Sequence, residues 1–92
     1  MDQDVTKNPP KAVTARFQLA AARIAEAWAA AGTLTVTADD IAIAGEYLRH
    51  VGWQVRQVEG LLVRLTDRDG RTEQVSREQA VLRALRELAS AR

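Results

Sequence analysis

Ninety-two residues, 47% apolar and 27% charged, suit one small domain with a thin core, since folding at this length hides roughly 60–65% of the extended chain's surface. With no cysteine and a single histidine, the chain excludes disulfides, thiolate nucleophiles, cysteine-based zinc or iron–sulfur sites and a histidine cage for a metal. Thirteen basic against twelve acidic residues give a formal charge of +1, short of the basic excess of a dedicated nucleic-acid binder. Lys7 and Lys11 are the only lysines among those cations, a preference for arginine that a GC-rich genome would explain. The longest uncharged apolar run, Ala27–Ala31, is far short of the ~20 residues of a membrane span. The opening MDQDVTKNPPK has no apolar stretch of a secretory signal. A cytoplasmic protein without membrane contact is the expectation, and no cofactor is implied.

Residues 1–11 read as a flexible N-terminal arm, with Asn8-Pro9-Pro10 holding the chain extended before any helix. Residues 12–92 read as a single small domain. From Ala12 to Ala31, Val13, Phe17, Ala20, Ile24, Trp28 and Ala31 recur at helical spacing on one stripe, and Gly32 ends the run. Thr33–Thr37 alternates polar and apolar residues and is either a short strand or an extended linker. Thr37 caps a second helix, whose Asp39 and Asp40 meet the positive end of the helix dipole. Ile41, Ala44, Leu48 and Val51 form its apolar stripe and Gly52 stops it. Ile43, Tyr47 and His50 form a second, flanking stripe. That stripe faces either the first helix or a partner.

From Trp53 the period changes from 3.6 to 2. A two-residue turn at Glu59-Gly60 would pair Val55 with Arg64 and divide the apolar residues between faces. A three-residue turn, Val58-Glu59-Gly60, pairs Trp53 with Leu65 and Val55 with Val63, and is preferred. A second three-residue turn, Arg68-Asp69-Gly70, pairs Val63 with Val75 and Thr66 with Thr72. Ser76 and Gln79 form a capping-box pattern at the start of the last helix, which buries Val81, Leu82, Leu85, Leu88 and Ala89. The expected class is α+β: helix, possible short strand, helix, three-stranded antiparallel meander, helix, with the helices packed on one face of the sheet.

No catalytic set assembles. Asp67-Arg68-Asp69-Gly70 lacks the third oxygen ligand and the later glutamate of a calcium loop, so it reads as a turn and no metal site is assigned. Asp39 and Asp40 point about 100° apart on a helix and cannot share a proton. His50 lies one turn beyond Glu46 and can pair with it. Trp28 and Trp53 each lie on an apolar stripe and read as core.

The expected function is a non-enzymatic binding module acting through another protein or a second copy of itself. Its interface is Ile43, Tyr47 and His50, since tyrosine flanked by aliphatics is a common anchor. The alternative is a small DNA- or RNA-binding regulator. It would use Arg56 and Arg64 on the outward sheet face, with Arg68 and Arg71 at the second turn and Arg77, Arg83 and Arg86 on the last helix.

Overall fold

The structure, a computed structural model, describes residues 9–58 and 62–90. Its elements are α1 (Pro9–Ala31), α2 (Ala38–His50), β1 (Gln54–Gln57), β2 (Leu62–Thr66), β3 (Thr72–Ser76) and α3 (Arg77–Ser90). The class is α+β, with one antiparallel sheet in the order β1-β2-β3. Residues 33–36 carry no regular structure, so the segment after α1 is a linker and not a strand. Helix α1 opens at Pro9, three residues into the expected arm. A proline in a helix's first turn loses no hydrogen bond, because the amides there have no intrahelical acceptor. Residues 1–8, the rest of that arm, lie outside the described residues.

Thr37 caps α2 as the sequence requires. Its hydroxyl accepts from the Asp40 amide at 3.1 Å, and the Asp40 carboxylate accepts from the Thr37 amide at 2.9 Å. Two orphan donors of the helix start are thereby satisfied reciprocally. At the other end Gly52 adopts φ +101°, and the Trp53 amide reaches back to the Leu48 carbonyl at 2.9 Å.

The meander follows from turn chemistry. In the second hairpin Val63 pairs with Val75 and Thr66 with Thr72, and Gly70 at φ +88° closes the turn. The Asp67 carboxylate fixes that turn by accepting from the Asp69 and Arg71 amides, both at 2.9 Å. In the first hairpin Val55 pairs with Leu65, and not with Val63 as expected. The Val58 amide bonds the Leu62 carbonyl at 3.0 Å; Glu59, Gly60 and Leu61, and with them the expected turn, lie outside the described residues. Moving the register by two residues keeps every side chain on its face. Val63, Leu65 and Val75 are accordingly buried and Val55 half-buried, while Gln54, Arg56 and Leu62 are exposed.

Helices α2 and α3 cover the inward sheet face, and α1 reaches the rest of the chain chiefly through α2. One core results, joining Phe17 and Ile24 of α1, Tyr47 and Leu48 of α2, Leu65 of β2 and Val81 of α3. On α3 the deepest residues include Ala80 and Ala84, which the leucine pattern did not mark. Leu82, Leu85 and Leu88 are half-buried and Ala89 is exposed. Small residues sit where a helix approaches its neighbours most closely, and long ones flank that line. Trp53 is half-buried against the core as expected, but Trp28 is 39% exposed.

Candidate functional site

The three residues expected at a protein interface separate. Ile43 and Tyr47 are buried, 7% and 2% exposed, because α1 covers the flanking stripe of α2. The Phe17 and Tyr47 rings stack with centroids 4.9 Å apart, so Tyr47 anchors α1 to α2 inside one chain. Burial pushes its phenol up, and the nearby Glu87 charge adds to that, while Arg68 opposes both. His50 stays exposed. Its expected partner, Glu46, instead accepts a hydrogen bond from Arg16 at 3.2 Å. The interface assignment for Ile43 and Tyr47 is therefore corrected: in the folded chain their surface already belongs to α1.

The seven arginines of the nucleic-acid alternative also divide. Arg68 donates to the Val51 carbonyl at 3.1 Å and to Glu87 at 3.2 Å, tying the second turn to α2 and α3. Arg83 holds Glu73 with two hydrogen bonds of 3.0 and 3.1 Å. Arg71 and Arg86 are exposed and Arg77 is half-buried, all away from the strands' outward positions. Arg56 and Arg64 alone share the outward sheet face, where they stand directly opposite one another on β1 and β2. They line a shallow depression of about 510 Å³ with Gln54, Val55, Thr66 and Thr72. The Thr66 and Thr72 hydroxyls are 2.9 Å apart across the strands.

Asp40 and Ser76 are committed to structure. Asp40 is 1% exposed and receives Arg23 as well as the Thr37 amide. Burial pushes its carboxyl up, but the Arg23 hydrogen bond, Thr37 and the Arg23 charge together outweigh this and hold it below the usual carboxylate value. The Ser76 hydroxyl accepts from the Gln79 amide at 3.2 Å. Between α2 and the edge strand β1 lies a smaller groove of about 260 Å³, lined chiefly by Ile41, Ala42, Gly45, Val55 and Val63. Its strand edge is closed where Arg49 donates to the Val55 carbonyl at 2.9 Å. Among the described residues no group of three or more histidine or acidic side chains is placed to hold a metal ion. Among those residues, too, no helix is long and apolar enough to cross a membrane.

A further surface escaped the stripe analysis. The last side-chain pairing of α1 with α2 is Arg23 on Asp40, yet α1 continues to Ala31, about two turns more. Every residue from Ala25 to Ala31 is exposed, and Glu26 is the one charge among them. Trp28 stands in that segment, flanked at helical spacing by Ala25 and Ala31. Helix lengths carry the signal: the 23 residues of α1 at 1.5 Å each outreach the thirteen of α2 by about 15 Å. Leu19, 75% exposed on the opposite side of α1, is a single apolar surface residue of an ordinary kind. Compared with known protein families, with curated proteins and with solved structures, the chain matches none.

Proposed function

We propose that the chain is a non-enzymatic, cytoplasmic protein-binding module that associates with a second copy of itself through the exposed C-terminal two turns of α1. The observation that carries this reading is Trp28, 39% exposed on a seven-residue helical segment with a single charge. Exposed tryptophan on an otherwise small-residue helix face suits an isologous contact, in which each copy's ring packs on the other's alanines. Three polar groups that catalysis could draw on are engaged in structure: Ser76 and Asp40 at helix starts, Asp67 in a turn.

The magnitude sets the kind of association. A tryptophan buries 150–250 Å², so the exposed part of Trp28 offers roughly 60–100 Å², or about 1.5–2.5 kcal/mol per copy at 25 cal/mol/Å². Two copies supply about 3–5 kcal/mol against an association cost of at least ~4 kcal/mol. Trp28 therefore little more than offsets that cost, and the flanking alanines must supply a further ~3–5 kcal/mol for even a weak dimer with a Kd near 1 mM. Sedimentation equilibrium up to about 1 mM protein tests this. A reversible monomer–dimer equilibrium abolished by Trp28→Glu is expected; a chain that is monomeric throughout, or a dimer indifferent to that substitution, overturns the reading.

A further inference from the structure

We infer that the outward face of the sheet is a binding site for the phosphate backbone of a nucleic acid, held by Arg56 and Arg64. The two arginines are direct cross-strand partners, and like charges so placed repel one another. Four other arginines are offset by carboxylates, Arg16 by Glu46, Arg23 by Asp40, Arg68 by Glu87 and Arg83 by Glu73, while Arg49, Arg71, Arg77 and Arg86, which stand off this face, have none among the described residues. Among the described residues, neither Arg56 nor Arg64 has such a partner. The other outward positions of the three strands carry glutamine, threonine, serine and Leu62, with no aspartate or glutamate. Among the described residues this face is therefore locally cationic, with two guanidinium groups and no carboxylate on its outward positions.

Shape agrees with charge. Helices α2 and α3 pack on the inward face, so the outward one is left open. Its depression of about 510 Å³ has the two arginines on its wall and the Thr66–Thr72 hydroxyl pair at one end. Paired residues in an antiparallel sheet have Cα atoms about 4.5–5.5 Å apart, which sets the two side chains side by side. A guanidinium offers a planar fork to phosphate oxygens, and hydroxyl and amide side chains add neutral donors around it. A carboxylate accepts the same fork, as Glu73 does from Arg83, so an acidic peptide is the competitor the test must exclude. A phosphodiester chain presents successive anionic groups along one line, and nucleic acid is the occupant this geometry favours.

Two phosphate contacts on duplex DNA predict a plot of log K against log salt with a slope near −1.8 for each engaged protomer, a roughly 12-fold loss of affinity between 50 and 200 mM salt. The test is fluorescence anisotropy with a labelled mixed-sequence duplex, with a single strand of the same sequence and a polyglutamate peptide as competitors. Arg56→Gln and Arg64→Gln are each expected to halve the salt slope, and the double variant to abolish binding. Urea unfolding of the double variant is the control, and its midpoint is expected to be unchanged or higher, since a repulsion has been removed. Absence of binding at 50 mM salt and about 100 µM protein overturns the inference. So does binding that survives the double variant, or equal displacement of the duplex by polyglutamate.

Discussion

Replacing Tyr47 by alanine is the sharpest test of how this fold is held. The ring is 2% exposed and stacked on Phe17 at 4.9 Å. Truncating a buried aromatic residue costs about 3–5 kcal/mol, of which an aromatic pair accounts for ~0.5–1.5 kcal/mol beyond the area it buries. A domain of this size has only about 5–14 kcal/mol in all. A loss near 4 kcal/mol corresponds to a fall of very roughly 15–30 °C in Tm. With a urea m-value around 2 kcal/mol/M, the midpoint falls by about 2 M. Tyr47→Phe keeps the stack and is expected to stay within about 1 kcal/mol of the parent. Should Tyr47→Ala fail to fold, Tyr47→Leu gives the same ordering at smaller cost. A double-mutant cycle with Phe17→Leu then isolates the ring–ring contribution. A midpoint shift below about 0.3 M for Tyr47→Ala, a tenth to a fifth of the expected change, would show that the residue is not the buried link between α1 and α2. That result, with weakened self-association, would restore Tyr47 to a surface role.

Asp40→Asn removes a buried carboxylate that caps α2 and receives Arg23, at an expected cost of about 1–2 kcal/mol in urea unfolding at neutral pH. Asp40 is held below its ordinary value when folded, so its contribution is complete above the unfolded carboxylate value of about 3.9 and is lost as pH falls through the lower, folded one. The gap between parent and Asp40→Asn should therefore close below about pH 4, and a gap that widens on acidification refutes the assignment. Gly45→Ala should stabilise by about 0.5–1 kcal/mol, since the added Cβ would sit at 3.7 Å from Val55 Cγ1, an ordinary contact; thermal unfolding reads the sign. Gly52→Ala should destabilise by at least about 1–2 kcal/mol, because φ is +101° and the new Cβ would meet Arg68 Cγ at 3.0 Å. An unchanged Tm would place Gly52 in a different backbone conformation.

Local chemistry made most of the chain readable before any coordinates. Thr37 with Asp40 marks a helix start because two short side chains satisfy two orphan amides, and no distant residue takes part. Asp67 and Gly70 fix the second turn in the same local way, so its register followed. The first hairpin pairs two residues away from the register its glycine suggests, yet the faces are the same because side-chain direction depends only on the parity of the pairing. What the sequence hid depends on which element lies beside which. Ile43 and Tyr47 look like an unpartnered stripe unless α1 is known to lie over them. Ala80 and Ala84 look incidental unless α3 is known to sit close to its neighbours. Likewise the arginines form one basic set on paper, and only the ion pairs of Arg68 and Arg83 together with the sheet register separate Arg56 and Arg64 from the rest.

The two proposed surfaces occupy opposite sides of the molecule. Helix α1 rests on α2, and α2 with α3 lies on the inward face of the sheet; Arg56 and Arg64 belong to the outward one. Pairing two copies through Trp28 therefore leaves each cationic face open, and the two surfaces have no residue in common. Mutational effects at sites this far apart, without shared partners, add independently. A monomeric Trp28→Glu chain must then retain the salt dependence of its own two arginines, while the Arg56→Gln/Arg64→Gln chain must sediment as the parent does. Coupling between the two measurements would require α1 to lie across the sheet's outward face, which its packing on α2 does not permit.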